Sequence, residues 1–379
     1  MDIRTSDVVT FATDLISEKS ITPKDGACQK MIADRLSRVG FHCEHLRFGE
    51  VNNLYARFGK SSPLLVFVGH TDVVPTGPES DWVSPPFEPE VRDGLLYGRG
   101  ACDMKGAVAA MVIAGEKFVR TNPNFEGSIA YLITSDEEGP SLHGTKEVVR
   151  VLKERNEKIH FCVIGEPSSE KVVGDQIRVG RRGSLSARLV IHGKQGHVAH
   201  PHLAKNPIHM CLLALAELTK TEWDKGNQDF PPTTFQISNI HAGTGAYNVI
   251  PGHLEVLFNF RFSTALSVEQ LKERIEDILG KHQLNFDIEW SLGAKPFLTK
   301  HGELINAVQE AIKEVSGLTV KLSTGGGTSD GRFIAEMGAE IVELGVPNLT
   351  AHHVNEFASV LDLETLVEYY NKILEKVFL

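Results

Sequence analysis

The amino-acid sequence predicts an α/β catalytic domain with a mostly parallel mixed sheet, interrupted by a smaller inserted domain of β-α-β-β-α-β order. Short apolar runs rich in Val, Ile and Phe each end in a polar, Gly-rich turn, a pattern typical of buried parallel strands. Amphipathic helices alternate with these runs, which indicates an α/β layer fold. The chain has 379 residues, more than a single hydrophobic core usually organises, so at least two domains are expected.

The predicted catalytic domain comprises residues 1–180 and 294–379. Its strands are the apolar runs 64–69, 128–134, 161–165 and 341–345, and its helices are the segments of 3.6-residue periodicity at 5–19, 25–39, 106–120, 301–316 and 362–376. The 106–120 helix follows a Gly-rich turn. Because strands and helices alternate, we expect the carboxyl ends of the strands to share one edge of the sheet.

The inserted domain is predicted over residues 181–293. Its strands show alternating apolar and polar residues at 184–193, 233–241, 253–263 and 285–292, and its helices are 206–220 and 267–281. This order of elements is the ferredoxin-like pattern.

Composition excludes several classes of protein. The net charge is −10 and no run of basic residues is present, which disfavours binding to nucleic acid or to an anionic membrane. No apolar stretch reaches the length of a membrane span, and the N-terminus lacks the pattern of a signal peptide. The five cysteines form no CxxC motif, as expected of free thiols in a reducing cytoplasm.

Histidine and carboxylate side chains follow the predicted strands of the catalytic domain. They are His70, Asp72, Glu137, Glu138, Glu166 and either His352 or His353, joined by Asp103 before the 106–120 helix. Singly, each has an ordinary explanation, such as an N-cap aspartate or a solvated acidic turn. Together they provide the imidazole and carboxylate ligands of a dinuclear metal site, one carboxylate to bridge and another to act as general base. The absence of thiolates argues against a closed structural zinc site.

Five motifs, in this order, resemble the di-zinc family of aminoacylases, acetylornithine deacetylases and related carboxypeptidases: GHTDVVP (69–75), GRGACDMKG (98–106), SDEEG (135–139), GEP (165–167) and HHVNE (352–356). The resemblance covers nearly the whole chain. It implies two Zn²⁺ ions per subunit, for which Co²⁺ can substitute, and an inserted domain that serves as a dimerisation and lid domain.

The resemblance also implies a role for each matched residue. His70 and Glu166 bind one zinc ion, Glu138 and His352 bind the other, and Asp103 bridges the two. Asp72 orients His70, and Glu137 is the general base for the attacking water. His197 reaches the active site of the neighbouring subunit and stabilises the oxyanion, so that catalysis needs a homodimer.

Other positions match substrate contacts in the family: Arg181, Ser184, Tyr247, Asn248, Arg261, Thr328, Arg332 and Asn348. At 246–248 the chain has Ala-Tyr-Asn, so Tyr247 replaces an asparagine that contacts substrate in the family. The arginines favour an anionic substrate, since guanidinium pairs with carboxylate. The implied reaction releases succinate from N-succinyl-LL-2,6-diaminopimelate, in diaminopimelate and lysine biosynthesis.

Two alternatives stay open at the level of sequence. The chain could act on acetylornithine, another N-acyl amino acid or a dipeptide, since these belong to the same family. It could also be a catalytically silent scaffold that binds or dimerises, although the complete set of ligands and base argues against this interpretation.

Overall fold

A computed structural model describes residues 6–379 of the chain. Thr5, the first residue of the helix predicted over 5–19, lies outside the described part. The helices and strands up to residue 178 are α1 Asp7–Ser17, α2 Cys28–Arg38, β1 His42–Phe48, β2 Val51–Phe58, β3 Leu64–His70, β4 Glu90–Arg92, β5 Leu95–Tyr97, α3 Lys105–Thr121, β6 Ser128–Thr134, α4 Thr145–Glu154, β7 Phe161–Ile164 and β8 Gln176–Arg178.

The remaining elements follow in chain order. They are β9 Gly180–Arg181, β10 Gly183–His192, β11 Gly196–His197, α5 Pro207–Lys220, β12 Thr234–Ala242, β13 Val249–Ile250, β14 His253–Phe262, α6 Val268–Lys281, β15 Phe286–Ala294, β16 Phe297–Leu298, α7 Glu303–Ser316, β17 Lys321–Ser323, α8 Gly331–Ile334, β18 Glu340–Glu343, β19 Phe357–Ser359 and α9 Val360–Phe378. Short 3₁₀ helices lie at Glu79–Asp81, Pro201–Leu203 and Ala335–Met337.

The chain forms two compact units. The first contains the described residues up to Gly180 together with Leu298–Ser323 and Ser329–Leu379, and the second contains Arg181–Phe297 and Thr324–Thr328. The second unit therefore extends beyond residue 293, where the sequence analysis ended it. It also takes in the 324–328 turn, which the sequence analysis placed in the other domain. The reason is local, because the Thr324 hydroxyl donates to the carbonyl of Asp229 at 2.5 Å within the second unit.

The first unit is built on an eight-stranded mixed sheet in the order β1-β2-β6-β3-β7-β18-β8-β17. Its centre, β6-β3-β7-β18, is parallel. Every residue of β3 and β6 is buried, which explains why these strands are continuous apolar runs rather than alternating ones. The predicted mostly parallel mixed sheet is confirmed, although the antiparallel strands β1 and β2 at one end of the sheet were not predicted.

Helices complete the core of the first unit. The helix α3 is buried along most of its length and packs against α1 and α9, while α7 also packs against α9. None of the helices within residues 6–379 combines the length and the apolar character that crossing a membrane requires.

The second unit has a four-stranded antiparallel sheet in the order β12-β14-β10-β15. Counted from its first long strand this order is 2-3-1-4, the ferredoxin-like arrangement predicted from the sequence. Along β14 the residues Leu254, Val256, Phe258 and Phe260 are buried, in alternation with more exposed residues, and they form a core with α5 and α6. A capping box between Ser267 and Gln270 begins α6.

Candidate active site

Four polar turns of the first unit meet where its parallel strands end. Strand β3 ends at His70, β6 ends shortly before Glu137, β7 ends shortly before Glu166, and β18 leads to the loop that carries His352. Because these strands are neighbours with the same direction, their carboxyl ends deliver the four turns to one edge of the sheet. Asp103 reaches the same place from the turn that precedes α3.

Asp103 lies between two imidazoles. Its Oδ1 is 3.3 Å from Nε2 of His70 and its Oδ2 is 3.3 Å from Nε2 of His352. Each carboxylate oxygen thus faces a different histidine, an arrangement that would allow this carboxylate to be shared by two metal ions.

Each histidine has a further carboxylate beside it. Glu166 Oε1 is 3.7 Å from Nε2 of His70, and Glu138 Oε1 is 2.8 Å from Nε2 of His352. The candidate ligand atoms of His70, Asp103 and Glu166 lie within 4.8 Å of one another, as do those of Asp103, Glu138 and His352. His70, Glu137 and Glu138 form a third such group. His353 is outside these groups, and its amide donates to the carbonyl of Thr350.

The donor set fits a pair of divalent metal ions. Two imidazoles and three carboxylates, all without thiolates, suit Zn²⁺ and also Co²⁺ or Mn²⁺. His70 Nε2 and Asp103 Oδ1 are buried and have no hydrogen-bond partner, and buried polar atoms of this kind require an explanation. The two atoms lie 3.3 Å apart within one group of candidate ligands, and coordination of a metal ion would explain both of them.

Asp72 organises the site in two ways. The ring Nδ1 of His70 is 2.9 Å from the backbone carbonyl of Asp72 and 3.7 Å from its carboxylate, so an Nδ1–H donates to the main chain and leaves Nε2 for a ligand role. The carboxylate of Asp72 accepts hydrogen bonds from the backbone amides of Glu137 and Glu138 at 3.3 and 3.1 Å. Asp72 therefore also fixes the turn that carries the candidate base.

The electrostatics of the cluster differ from one group to the next. Burial by itself lowers the pKa of His70, but the carboxylates of Asp103 and Asp72 outweigh burial and raise this pKa well above its usual value. The interactions with Asp103 and Glu138 raise the pKa of His352 to about 10. Burial raises the pKa of Asp72 to about 6. Binding of a metal ion to these imidazoles therefore competes with their protonation.

Glu137 has the environment of a general base. Burial raises the pKa of its carboxyl well above the ordinary value, and the neighbouring carboxylates of Asp330 and Glu138 add to this effect. A raised pKa brings a carboxylate closer to the range in which proton transfer near neutral pH is efficient.

Several predicted substrate contacts, together with His197, lie in the second unit. Ser184 and Arg261 are directly opposite across β10 and β14. The guanidinium of Arg181 donates to the carbonyls of Gly325 and Gly327 at 3.2 Å, next to Thr328 in the same turn. The remaining predicted residues of this unit, His197, Tyr247 and Asn248, are exposed.

Two predicted substrate contacts belong to the first unit. Arg332 lies in α8, and its guanidinium carbon is 4.5 Å from the centre of the Phe333 ring. Asn348 is exposed, and its backbone amide donates to the carbonyl of Ser169 at 3.2 Å. Asn259 was not predicted as a site residue, and its side-chain amide donates to the hydroxyls of Ser184 and Ser186 at 3.0 and 2.9 Å.

Sequence reasoning also missed the charged residues buried behind the candidate ligands. These are Arg99, Lys105, Asp330 and Glu356. Three of them stand inside motifs that the analysis quoted, GRGACDMKG and HHVNE. These charged residues could have been identified from the sequence, because they stand inside a motif and have no role assigned to them.

The fold and the site define a metal-dependent hydrolase of the peptidase type. The chain belongs to peptidase family M20/M25/M40, whose model matches residues 66–376. Within this family, the chain is 58% identical over 372 residues to a succinyl-diaminopimelate desuccinylase of Acinetobacter baumannii (strain AYE), and the match covers 98% of this chain and 99% of that protein. The enzyme of the same name from Methylobacillus flagellatus is 56% identical over 370 residues, with 98% and 99% coverage.

Solved structures support the fold. An M20 family metallo-carboxypeptidase from Sulfolobus solfataricus superposes with a TM-score of 0.81 at 17% identity, covering 98% of this chain and 99% of that chain. A Bacillus subtilis protein described as a dinuclear metal binding peptidase of the M20 family gives a TM-score of 0.75 at 16% identity, with coverage of 98% and 97%.

Proposed function

We propose that this protein is a di-zinc amide hydrolase that converts N-succinyl-LL-2,6-diaminopimelate to succinate and LL-2,6-diaminopimelate, a step of diaminopimelate and lysine biosynthesis. The observation that carries the proposal is the 58% identity, over 98% of this chain, to a relative named for this reaction. The position of Asp103 between two imidazoles supports the dinuclear chemistry. We infer a reducing cytoplasm as the compartment, because all five cysteines are free thiols.

We assign His70 and Glu166 to one metal ion and Glu138 and His352 to the other, with Asp103 between them. A bound metal pair supplies an activated water and polarises the amide carbonyl.

Glu137 accepts the proton of the attacking water at its carboxylate and delivers it to the amine that leaves. Asp72 keeps the Glu137 turn in place through the two backbone amides that its carboxylate binds. The guanidinium groups of Arg181, Arg261 and Arg332 bind the carboxylates of the substrate, and the hydroxyls and amides of Ser184, Thr328, Tyr247, Asn248 and Asn348 complete the polar contacts.

The experiment is a zinc titration of metal-depleted protein, read as the initial rate of succinate release from N-succinyl-LL-2,6-diaminopimelate. We expect no activity in the metal-free protein and a rate that rises until two zinc ions are bound per chain. N-acetylornithine serves as the comparison substrate. If the fully loaded protein hydrolyses only N-acetylornithine, the substrate assignment is wrong while the metal assignment stands. If it hydrolyses neither compound, the assignment to this reaction fails.

We further propose that two copies form a homodimer through the second unit, with His197 acting in the partner's site. Strand β12 lies at an edge of its sheet, and most of its residues are exposed. Exposed apolar residues Leu212 and Leu213 stand on α5 of the same unit. An open edge strand offers unpaired backbone groups to a second chain, and a two-fold dimer joins the same surface of both subunits.

Mixed dimers test this arrangement. Subunits carrying His197→Ala and subunits carrying Glu137→Ala are each expected to be inactive as homodimers. After unfolding and refolding together, half of the dimers pair the two variants and restore one complete site each, so we expect about one quarter of the unaltered activity. Mixed dimers that form without regaining activity would place His197 outside the partner's site.

A further inference from the structure

The carboxylate of Glu356 is fully buried and accepts four hydrogen bonds from one turn. Its Oε1 accepts from the backbone amides of Cys102 and Asp103, both at 2.9 Å. Its Oε2 accepts from the backbone amide of Gly100 at 3.0 Å and from the guanidinium of Arg99 at 2.7 Å. A side chain that lies far away in the sequence therefore fixes the turn that ends in Asp103.

Arg99 extends this network to two other turns. Besides Glu356, its guanidinium donates to the carbonyl of His353 at 3.1 Å and to the carbonyl of Pro75 at 3.3 Å. The first carbonyl is adjacent to His352, and the second closes the HTDVVP segment that begins at His70. Only 2% of the Arg99 side chain and 1% of the Glu356 side chain are exposed, so water does not weaken the pair.

The backbone at His352 needs such support. Its φ is +65°, in the left-handed region that residues other than glycine seldom adopt. Strained residues of this kind persist where surrounding contacts hold them, and they concentrate at functional sites. The bond from Arg99 to the carbonyl of His353 is one such contact, since it holds the residue that directly follows His352.

We propose that Glu356, acting together with Arg99, is a positioning residue that sets the distance between Asp103 and His352 for the metal ion assigned to Glu138 and His352. This ion is called the second metal ion below, and the ion assigned to His70 and Glu166 is called the first. The inference rests on the proposed function, since it presupposes the metal pair. Glu356 does not contact the reacting atoms, and its carboxylate is fully occupied by backbone amides and Arg99. Its contribution is geometric, because it fixes the turn of Asp103 directly and the turn of His352 through Arg99.

The network makes a selective prediction. Asp103 and His352 belong together to the ligand group that also includes Glu138, so both turns held by Glu356 serve this metal ion, whereas the other ion shares only Asp103 with them. The remaining ligands of that other ion, His70 and Glu166, take their positions from the ends of β3 and β7. We therefore expect loss of Glu356 to weaken the second zinc ion far more than the first.

The experiment compares Glu356→Gln with Glu116→Gln by calorimetric titration of the metal-free proteins with Zn²⁺. Glutamine keeps the shape of Glu356 but places an NH₂ group against N–H donors. Glu116 is a matched control, since it is also buried and paired with an arginine, Arg35 at 2.7 Å. For Glu356→Gln we expect the second zinc ion to bind about 10- to 100-fold more weakly and the first within about threefold of the unaltered chain.

A second readout separates positioning from general stability. At limiting zinc we expect a low kcat for Glu356→Gln that recovers as zinc is raised, with the KM for substrate unchanged. If Glu356→Gln does not fold, Arg99→Lys replaces it, since lysine keeps the charge beside Glu356 and loses the fork that reaches His353; its second zinc ion is expected to bind about tenfold more weakly.

The outcomes distinguish this inference from the proposed function. If the unaltered chain binds two zinc ions and the folded variant binds both with unaltered affinity, the positioning role is wrong and the proposed function stands. The same conclusion follows if Glu116→Gln weakens zinc binding to the same extent. If the unaltered chain itself binds fewer than two zinc ions, the proposed metal pair and the positioning role both fail.

Discussion

The two units differ in what they bury. In the first unit, fully or nearly fully buried side chains include charged ones, among them Asp72, Arg99, Lys105, Glu343 and Glu356. Among the described residues of the second unit, Arg181 is the only buried residue with a charged side chain. The core of this unit consists of aliphatic and aromatic residues. The ordinary physics of burial explains the second unit, whereas the first unit pays a desolvation cost that only its chemistry explains.

The difference shows how a site can be recognised. Buried charges are expensive unless each is paired and hydrogen-bonded, and at this site the buried Arg99 and Glu356 pair with each other beside the candidate ligand Asp103. Both units have an apolar core, and the first unit adds to its core a set of buried charges. Substitutions of buried charged residues should consequently have their largest effects in the first unit.

The largest effect is expected from Glu137→Ala in the first unit. The variant should retain its metal ions, since five other side chains are available as ligands, and lose about 10³-fold in turnover, the usual contribution of a general base. Succinate release and metal content by atomic emission are the measurements. A variant with full metal content and substantial residual turnover would remove Glu137 from the role of base.

The next effect is on stability and concerns Lys105→Met. The Lys105 ammonium donates to the carbonyls of Leu15 and Glu18 at 2.7 and 2.9 Å, at the end of α1, and burial lowers its pKa. Methionine is similar in volume but leaves both carbonyls without a donor, so we expect about 3 kcal/mol of destabilisation of the first unit. Urea unfolding followed by circular dichroism measures it.

Lys30→Met is the control for that variant. Lys30 is exposed and pairs with Asp34 one helical turn away, so its loss should change stability by less than about 0.5 kcal/mol. Equal destabilisation by the two substitutions would show that the buried ammonium of Lys105 carries no special stabilising role.

The sequence was sufficient for the elements whose patterns are local. Buried runs such as 128–134 coincide with the observed strand Ser128–Thr134, and the polar residue after each parallel strand is found at the common edge. The antiparallel strands β1 and β2 were missed because their residues are mixed in polarity, with β1 partly exposed along its length. Periodicity alone does not distinguish such a strand from a loop.

The hydrogen bonds that Glu356 and Arg99 form next to the candidate ligands could not be predicted from the sequence, for a different reason. Glu356 and Arg99 are separated by about two thirds of the chain, and nothing local predicts that a carboxylate folds onto four donors. Asp72 teaches a similar lesson, since its place beside His70 suggested a carboxylate–imidazole contact. The structure adds a contact to the backbone of Glu137 and Glu138, which depends on how β3 and β6 lie together.

The smallest effect concerns the second unit and Asp224, a partly buried residue. Its carboxylate accepts from the amides of Gly226 and Thr233 at 2.7 and 3.0 Å and from the hydroxyl of Ser263 at 3.3 Å. Burial by itself raises the pKa of Asp224, but these hydrogen bonds outweigh burial and lower it. We expect Asp224→Asn to destabilise the second unit by about 1.5 kcal/mol at neutral pH.

The pH dependence of this effect sharpens the comparison between the units. Because the pKa of Asp224 is lower in the folded chain than in the unfolded one, its stabilisation is present above about pH 4 and is lost as pH falls through the folded value. The buried carboxyl of Asp72 has a higher pKa in the folded chain than in the unfolded one. In the metal-free protein, acidification at this group therefore stabilises the folded first unit. With Trp82→Phe, the remaining tryptophans, Trp223 and Trp290, report on the second unit alone. Their unfolding transition should depend on pH less steeply below pH 4 in Asp224→Asn, and an unchanged pH dependence would assign the acid sensitivity of this unit to other groups.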